Sequence, residues 1–176
     1  MKVLRILVVL VLAVFLSMLA MGAGKQDPWK LRIVPTRSSA KHGTMIDSAT
    51  KDSCFYVVLS NTSQADMSVW REWCSWGYFC LSFDMTLPDS KTIHVKKKPR
   101  SWKKNYPDPF IVKKGSHFVY AVSFNEMWEG FPDDWKNQKV KLKAIFSVEK
   151  EDDQAGRHKV WIGKVESPEI EVQLYK

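Results

Sequence analysis

Strict alternation of apolar and polar side chains constrains this chain more than any other feature. Between Lys139 and Val148, the residues Val140, Leu142, Ala144, Phe146 and Val148 share one parity, and Lys139, Lys141, Lys143 and Ser147 share the other. Successive side chains of an extended strand point to opposite faces, so the pattern predicts a half-buried strand with a basic outer face. Only Ile145 breaks the polar set. Ser116–Phe124 repeats the logic, with Phe118, Tyr120, Val122 and Phe124 inward and His117, Val119, Ala121 and Ser123 outward. Gly77–Thr86 places Phe79, Leu81, Phe83 and Met85 on one face and Tyr78, Cys80, Ser82 and Asp84 on the other. Cys54–Ser60 is rich in β-formers on both faces, as a central strand is. Shorter strands are predicted at Leu31–Val34, Met67–Trp70, Thr92–Val95, Val160–Val165 and Ile170–Tyr175.

Turn signals separate these runs: Asn61-Thr62-Ser63, Pro88-Asp89-Ser90, Lys114-Gly115-Ser116, Ala155-Gly156 and Ser167-Pro168. About eight or nine short strands with frequent turns predict an all-β, antiparallel sandwich of immunoglobulin-like type. The antibody pattern of two cysteines around a core tryptophan does not fit, so related topologies without that disulfide are the match. Asn125–Gln138, with Trp128, Gly130, Phe131, Pro132 and Trp135, breaks the alternation and reads as a long ordered loop with room for one helical turn.

The N-terminus follows another rule. Lys2 and Arg5 are followed by Ile6–Gly24, which holds no ionisable side chain and ends in the small residues Ala20, Gly22 and Ala23. This is the pattern of a secretory signal peptide, placed at residues 1–23 and forming a signal helix ahead of one domain at 24–176. The uncharged run is also long enough for a helix to cross a hydrocarbon core of ~30 Å, so a retained signal anchor is the alternative. No cysteine precedes Cys54, which argues against a lipid anchor. The expected location is exported, periplasmic or extracellular. Losing Lys2 and Arg5 removes two charges from a net +8. The positive remainder favours anionic neighbours such as phospholipid or acidic polysaccharide, and export makes nucleic acid the least expected of them.

Three cysteines, Cys54, Cys74 and Cys80, are too few for a disulfide framework. Cys74 and Cys80 can pair only if the chain folds back near Trp76–Gly77, because a disulfide needs Cα atoms within about 7 Å. Cys54 paired with either one, or three unpaired and mostly buried thiols, are the other options.

The basic stretch Lys96, Lys97, Lys98, Arg100, Lys103 and Lys104, with Trp102 inside and Tyr106 just after, is the first candidate site. Clustered cations attract phosphate or carboxylate, and interleaved rings stack or anchor at interfaces. Its expected partner is an anionic envelope polymer, a lipid headgroup or another exported protein. The competing reading is a solvated loop whose lysines keep a sheet edge soluble. The second candidate is an aromatic platform of Trp70, Trp73, Trp76 and Tyr78 that could stack on sugar rings. Alternatively these rings, with Trp128 and Trp135, cap one end of the core.

Catalytic motifs are missing: no His-Glu-x-x-His, Gly-x-Ser-x-Gly, phosphate-binding glycine loop or Cys-x-x-Cys occurs. His42, His94, His117 and His158 are far apart, so no catalytic residue, metal ligand or cofactor is assigned. Nothing local supports Cys74 or Cys80 as a nucleophile paired with His94 or His117. The acidic run Glu149, Glu151, Asp152 and Asp153 reads as a solvated turn, and Asp133 with Asp134 likewise.

Four segments occur in order: Trp76-Gly77-Tyr78-Phe79, Lys97–Asn105 with its Trp102, Trp128-Glu129-Gly130-Phe131-Pro132, and Val160–Ser167. Together they resemble a group of exported bacterial proteins with an immunoglobulin-like sandwich and no assigned biochemical role. The likeness covers most of residues 28–176 and brings no catalytic positions. The expected function is a non-enzymatic binding or adhesion module of the cell envelope. One alternative is an inhibitor or chaperone-like module that offers the 125–138 loop to a protein. The other is a hydrolase, which would need a concave pocket where a histidine meets Cys74, Cys80 or a carboxylate.

Overall fold

A computed structural model of the chain describes residues 27–39, 43–47, 55–132 and 137–175. The expected signal segment, Cys54, Asp133, Asp134 and Trp135 lie outside the described residues. Strands dominate. The first six are β1 (Trp29–Val34), β2 (Arg37–Ser39), β3 (Gly43–Asp47), β4 (Phe55–Asn61), β5 (Met67–Trp70) and β6 (Leu81–Thr86). Then come β7 (Thr92–Lys97), β8 (Pro109–Val112), β9 (His117–Val122) and β10 (Trp128–Glu129). The last three are β11 (Lys139–Val148), β12 (Gly163–Glu166) and β13 (Ile170–Tyr175). Two helical turns interrupt them, α1 (Ser75–Tyr78) and α2 (Asp153–Arg157).

The smaller main sheet has the order β1-β4-β9. The larger runs β10-β7-β6-β11-β13-β3-β2, with β12 also on β11, and β5 and β8 form a separate ladder. Every pairing between these strands is antiparallel except β13 with β3, which is parallel. That exception corrects the wholly antiparallel expectation. A parallel pair needs a long connection, and here most of the domain lies between its two strands.

The alternation of β11 does what its sequence demands. Val140, Leu142, Ala144, Phe146 and Val148 are all buried, and they meet residues of the smaller sheet. Tyr120 of β9 packs 5.9 Å from Phe146, while Phe55 of β4 lies 5.6 Å from Phe83 of β6 and 5.1 Å from Phe124. Burying one such ring stabilises the fold by roughly 1.5–3 kcal/mol, so this shared core holds the two sheets together. On the outer face, Lys139, Lys141 and Lys143 meet Glu171, Glu169 and Glu166 at 2.6, 3.5 and 2.9 Å. The basic face is thereby neutralised across strands.

Three segments depart from their predicted form, each for a local reason. Gly77–Thr86 does not begin as a strand: α1 turns the chain back, and β6 starts only at Leu81. A Cβ on Gly77 would sit 1.9 Å from the Arg71 carbonyl oxygen, so only glycine lets this turn close. The reversal inverts the predicted faces, burying Tyr78 and exposing Phe79. The Val160–Val165 strand shortens because Trp161 folds inward to stack 6.2 Å from Phe146. Within the predicted 125–138 loop, Trp128 and Glu129 instead pair with Lys97 and Lys96 as β10. The acidic run is more than a solvated turn, since Asp152 caps α2 through Gln154 N and Ala155 N. Among the described residues, no helix is long and apolar enough to cross a membrane.

Candidate functional site

The basic stretch leaves the end of β7 and forms a loop, residues 98–108, that ends at β8 of the separate β5–β8 ladder. Side chains from the 71–79 turn fasten it down along its length. At the start, Lys98 N donates to the Met127 carbonyl at 2.9 Å. The Lys97 ammonium lies 4.4 Å from the Trp128 ring centre and 5.5 Å from that of Tyr78. The Arg100 guanidinium covers Trp102 at 3.8 Å and Tyr78 at 4.9 Å. Tyr78 and Trp102 meet edge to face, 5.5 Å apart.

Further on, Asn105 Oδ1 accepts from Ser75 N at 2.9 Å, and Asn105 Nδ2 donates to Ser75 Oγ at 2.6 Å. At the far end Asp108 accepts from Trp73 Nε1 and pairs with Arg71 at 3.5 Å. Arg71 itself lies over Phe110 at 4.4 Å and Trp73 at 5.2 Å. The basic stretch and two members of the aromatic candidate, Trp73 and Tyr78, are therefore joined along one face.

That face spends some of its charge internally. Lys97 is half-buried, and loss of hydration lowers its pKa, with Glu72 pulling it back up and Arg100 pushing it further down. Desolvation raises the Glu72 carboxyl in turn, opposed by Lys97. Lys96 pairs with Glu129 at 3.7 Å. Lys98, Lys103 and Lys104 are exposed and meet no acidic partner among the described residues. Beside them Tyr106 is 74% exposed, Trp73 59% and Phe79 47%.

The four-ring platform does not form. Trp70 and Tyr78 are buried, and Trp70 Nε1 donates to Asp152 Oδ2 at 2.9 Å. Trp76 is half-buried against Trp70 at 5.9 Å, which leaves Trp73 as the exposed member. Trp102 is half-buried beneath Arg100. Sequence reasoning missed Arg71, Phe79, Asn105 and Asp108. Asp108 carried a usable signal, since Pro107 and Pro109 on either side mark a rigid corner. Asn105 carried none, because its partner Ser75 is 30 positions away.

The described part of the 125–138 segment does not protrude, since Trp128 is buried and Met127 and Phe131 are half-buried against the core. A groove of about 580 Å³ does open on the outer face of the larger sheet, lined by Ser82, Asp84, His94, Ile145, Ser147 and Lys164 among others. In it His94 Nδ1 meets Asp84 Oδ1 at 2.9 Å, and Lys143 holds the other Asp84 oxygen at 3.4 Å. Among the described residues, no hydrogen bond joins His94 to either serine hydroxyl, and no group of three potential metal ligands occurs. Cys74 and Cys80 are free and buried, with their thiols on the carbonyls of Arg71 and Trp76. Burial raises the Cys80 pKa far above the ordinary thiol range, and Cys74, Asp152 and Glu149 add to it, the reverse of what a nucleophile needs.

Compared with known protein families, curated proteins and solved structures, the chain matches none. Function is therefore argued from the site.

Proposed function

We propose that this chain is an exported, non-enzymatic binding module of the cell envelope, built on an immunoglobulin-like sandwich, whose 98–108 loop meets an anionic partner. Export is supported by the apolar N-terminal run after Lys2 and Arg5. The sandwich is supported by the core shared between the two sheets, with Phe55, Phe83, Tyr120 and Phe146 in contact across it.

One observation carries the binding reading. The loop is pinned at Lys97, Arg100, Asn105 and Asp108, yet its other cations, Lys98, Lys103 and Lys104, are unpaired among the described residues. A pinned loop loses little conformational entropy on binding, and unpaired ammonium groups keep their full attraction for anions. The solvated-loop alternative explains the lysines but not why the loop is fastened at four places.

The test is retention on an immobilised sulfated polysaccharide at low and high salt. Replacing Lys98, Lys103 and Lys104 together with serine should bring elution to clearly lower salt, because exposed charges act only within a Debye length of ~8–10 Å. A control replacing Lys139 and Lys141, already paired with Glu171 and Glu169, should shift it far less. Equal shifts for both variants would mean that net charge alone, not this loop, sets the attraction.

A further inference from the structure

We infer that the anionic partner is a membrane surface, on which the 98–108 loop and the 71–79 turn dock together as one face. This rests on the anion-binding reading of the same loop and names its partner. Contiguity comes from contacts already described. Phe79 touches Tyr78 at 4.9 Å, Tyr78 meets Trp102 and Arg100, and Lys103 and Lys104 follow. Asn105 on Ser75 and Asp108 on Trp73 complete the path.

Three properties of that face favour a bilayer over a soluble polymer. First, the exposed side chains include the ammonium groups of Lys98, Lys103 and Lys104 and the rings of Trp73, Phe79 and Tyr106, with Arg100 adding to the positive charge and Glu72 an exposed acid beside Lys97. Lysines beside half-exposed rings match a headgroup layer, where the charge reaches phosphate and the ring settles below it. Second, Phe79 has no polar atom to offer a polysaccharide. It is 47% exposed, and that area leaves water only if an apolar layer receives it. Third, two of the rings that a sugar could stack on already carry a cation over one face. Arg100 covers Trp102 at 3.8 Å and Arg71 covers Trp73 at 5.2 Å, while the Trp73 indole N–H is committed to Asp108.

The experiment is co-sedimentation of the purified full-length chain with vesicles of phosphatidylcholine alone or mixed equally with phosphatidylglycerol, run beside the sulfated-polysaccharide column. Comparing each variant with the wild type on the same vesicles cancels whatever the N-terminal run, with Lys2 and Arg5, contributes. The wild type should prefer the anionic vesicles, and each of Lys98→Ser, Lys103→Ser and Lys104→Ser should reduce that preference about fivefold. Phe79→Ser with Tyr106→Ser should weaken anionic-vesicle binding by roughly tenfold and leave retention on the polysaccharide unchanged. Both rings are solvent-facing, and matching urea midpoints would show that the fold survives the exchange. Loss of polysaccharide retention alongside vesicle binding in the ring variant would point to a polymer site and overturn the membrane assignment. Lysine-dependent polysaccharide retention with no preference for anionic vesicles would overturn it too, while leaving the anion-binding loop standing. Lysine variants without effect on either support would remove both readings.

Discussion

Asp152 is the position where one exposed-looking acid should prove most expensive to lose. Its Oδ1 accepts from Gln154 N and Ala155 N, both at 3.0 Å, and so caps α2. Its Oδ2 accepts from the indole N–H of Trp70, a residue with no exposed surface. Replacing Asp152 with alanine removes the cap, at a cost of ~1 kcal/mol, and leaves a buried indole N–H without an acceptor, at ~2 kcal/mol. The total of about 3 kcal/mol is a large part of the 5–15 kcal/mol that separates folded from unfolded states of a typical domain. Asparagine offers one amide oxygen, which can serve the cap or the indole but not both, so Asp152→Asn should cost about 1–2 kcal/mol. The assay is urea unfolding followed by tryptophan fluorescence. With a slope of about 2 kcal/mol per molar urea, the alanine variant should lower the midpoint by about 1.5 M.

A double-mutant cycle then isolates the indole bond, because in a Trp70→Phe background no N–H remains to satisfy. There Asp152→Ala should cost only the cap, giving a coupling of about 2 kcal/mol between the two positions. If Asp152→Ala costs the same in both backgrounds, the indole bond does not stabilise this end of the domain and the reasoning fails.

Two further outcomes follow from backbone and thiol burial. Gly130→Ala should destabilise by about 3 kcal/mol or more in the same assay, since φ there is +99° and a Cβ would stand 2.2 Å from the His94 carbonyl oxygen; a loss below about 1 kcal/mol would show that β10 is not held against β7 as described. In a Cys54→Ser variant, iodoacetamide at mildly alkaline pH should label Cys74 and Cys80 only as fast as the domain opens, because both thiols are buried and the Cys80 pKa is raised; rapid labelling of the native protein would contradict that burial.

The strands with the cleanest alternation were legible in sequence, because burial on one face writes itself into every second residue. Residues of β11 and β9 needed only their parity to be placed, and β4 was marked by β-formers on both faces. What stayed hidden was governed by contacts distant in sequence. α1 exists because Gly77 meets the Arg71 carbonyl, and parity reasoning carried through that turn put Tyr78 and Phe79 on the wrong sides. β2, β3, β8 and β10 have two to five residues each, too few for a period to register. The site was half legible. Its cations are contiguous and visible, and Asp108 is marked by the prolines on either side, whereas the pins at Ser75 and Arg71 carry no compositional mark.

Net charge is a poor guide to where this chain attracts anions, and the reason is geometric. Lys139, Lys141 and Lys143 form a regular row of cations, yet each meets a carboxylate of the neighbouring 166–171 segment within 3.5 Å. Their field is largely cancelled at the distance of an approaching ligand. Arg100 lies against ring faces, which hold its position without neutralising its charge, whereas the charge of Lys97 is partly met by Glu72. That difference gives the loop its direction. Arg100, fixed on Trp102 and Tyr78, adds to the field of Lys98, Lys103 and Lys104, while the sheet lysines add little. Rings beneath exposed lysines therefore concentrate positive charge on the face where Trp73, Phe79 and Tyr106 are also exposed.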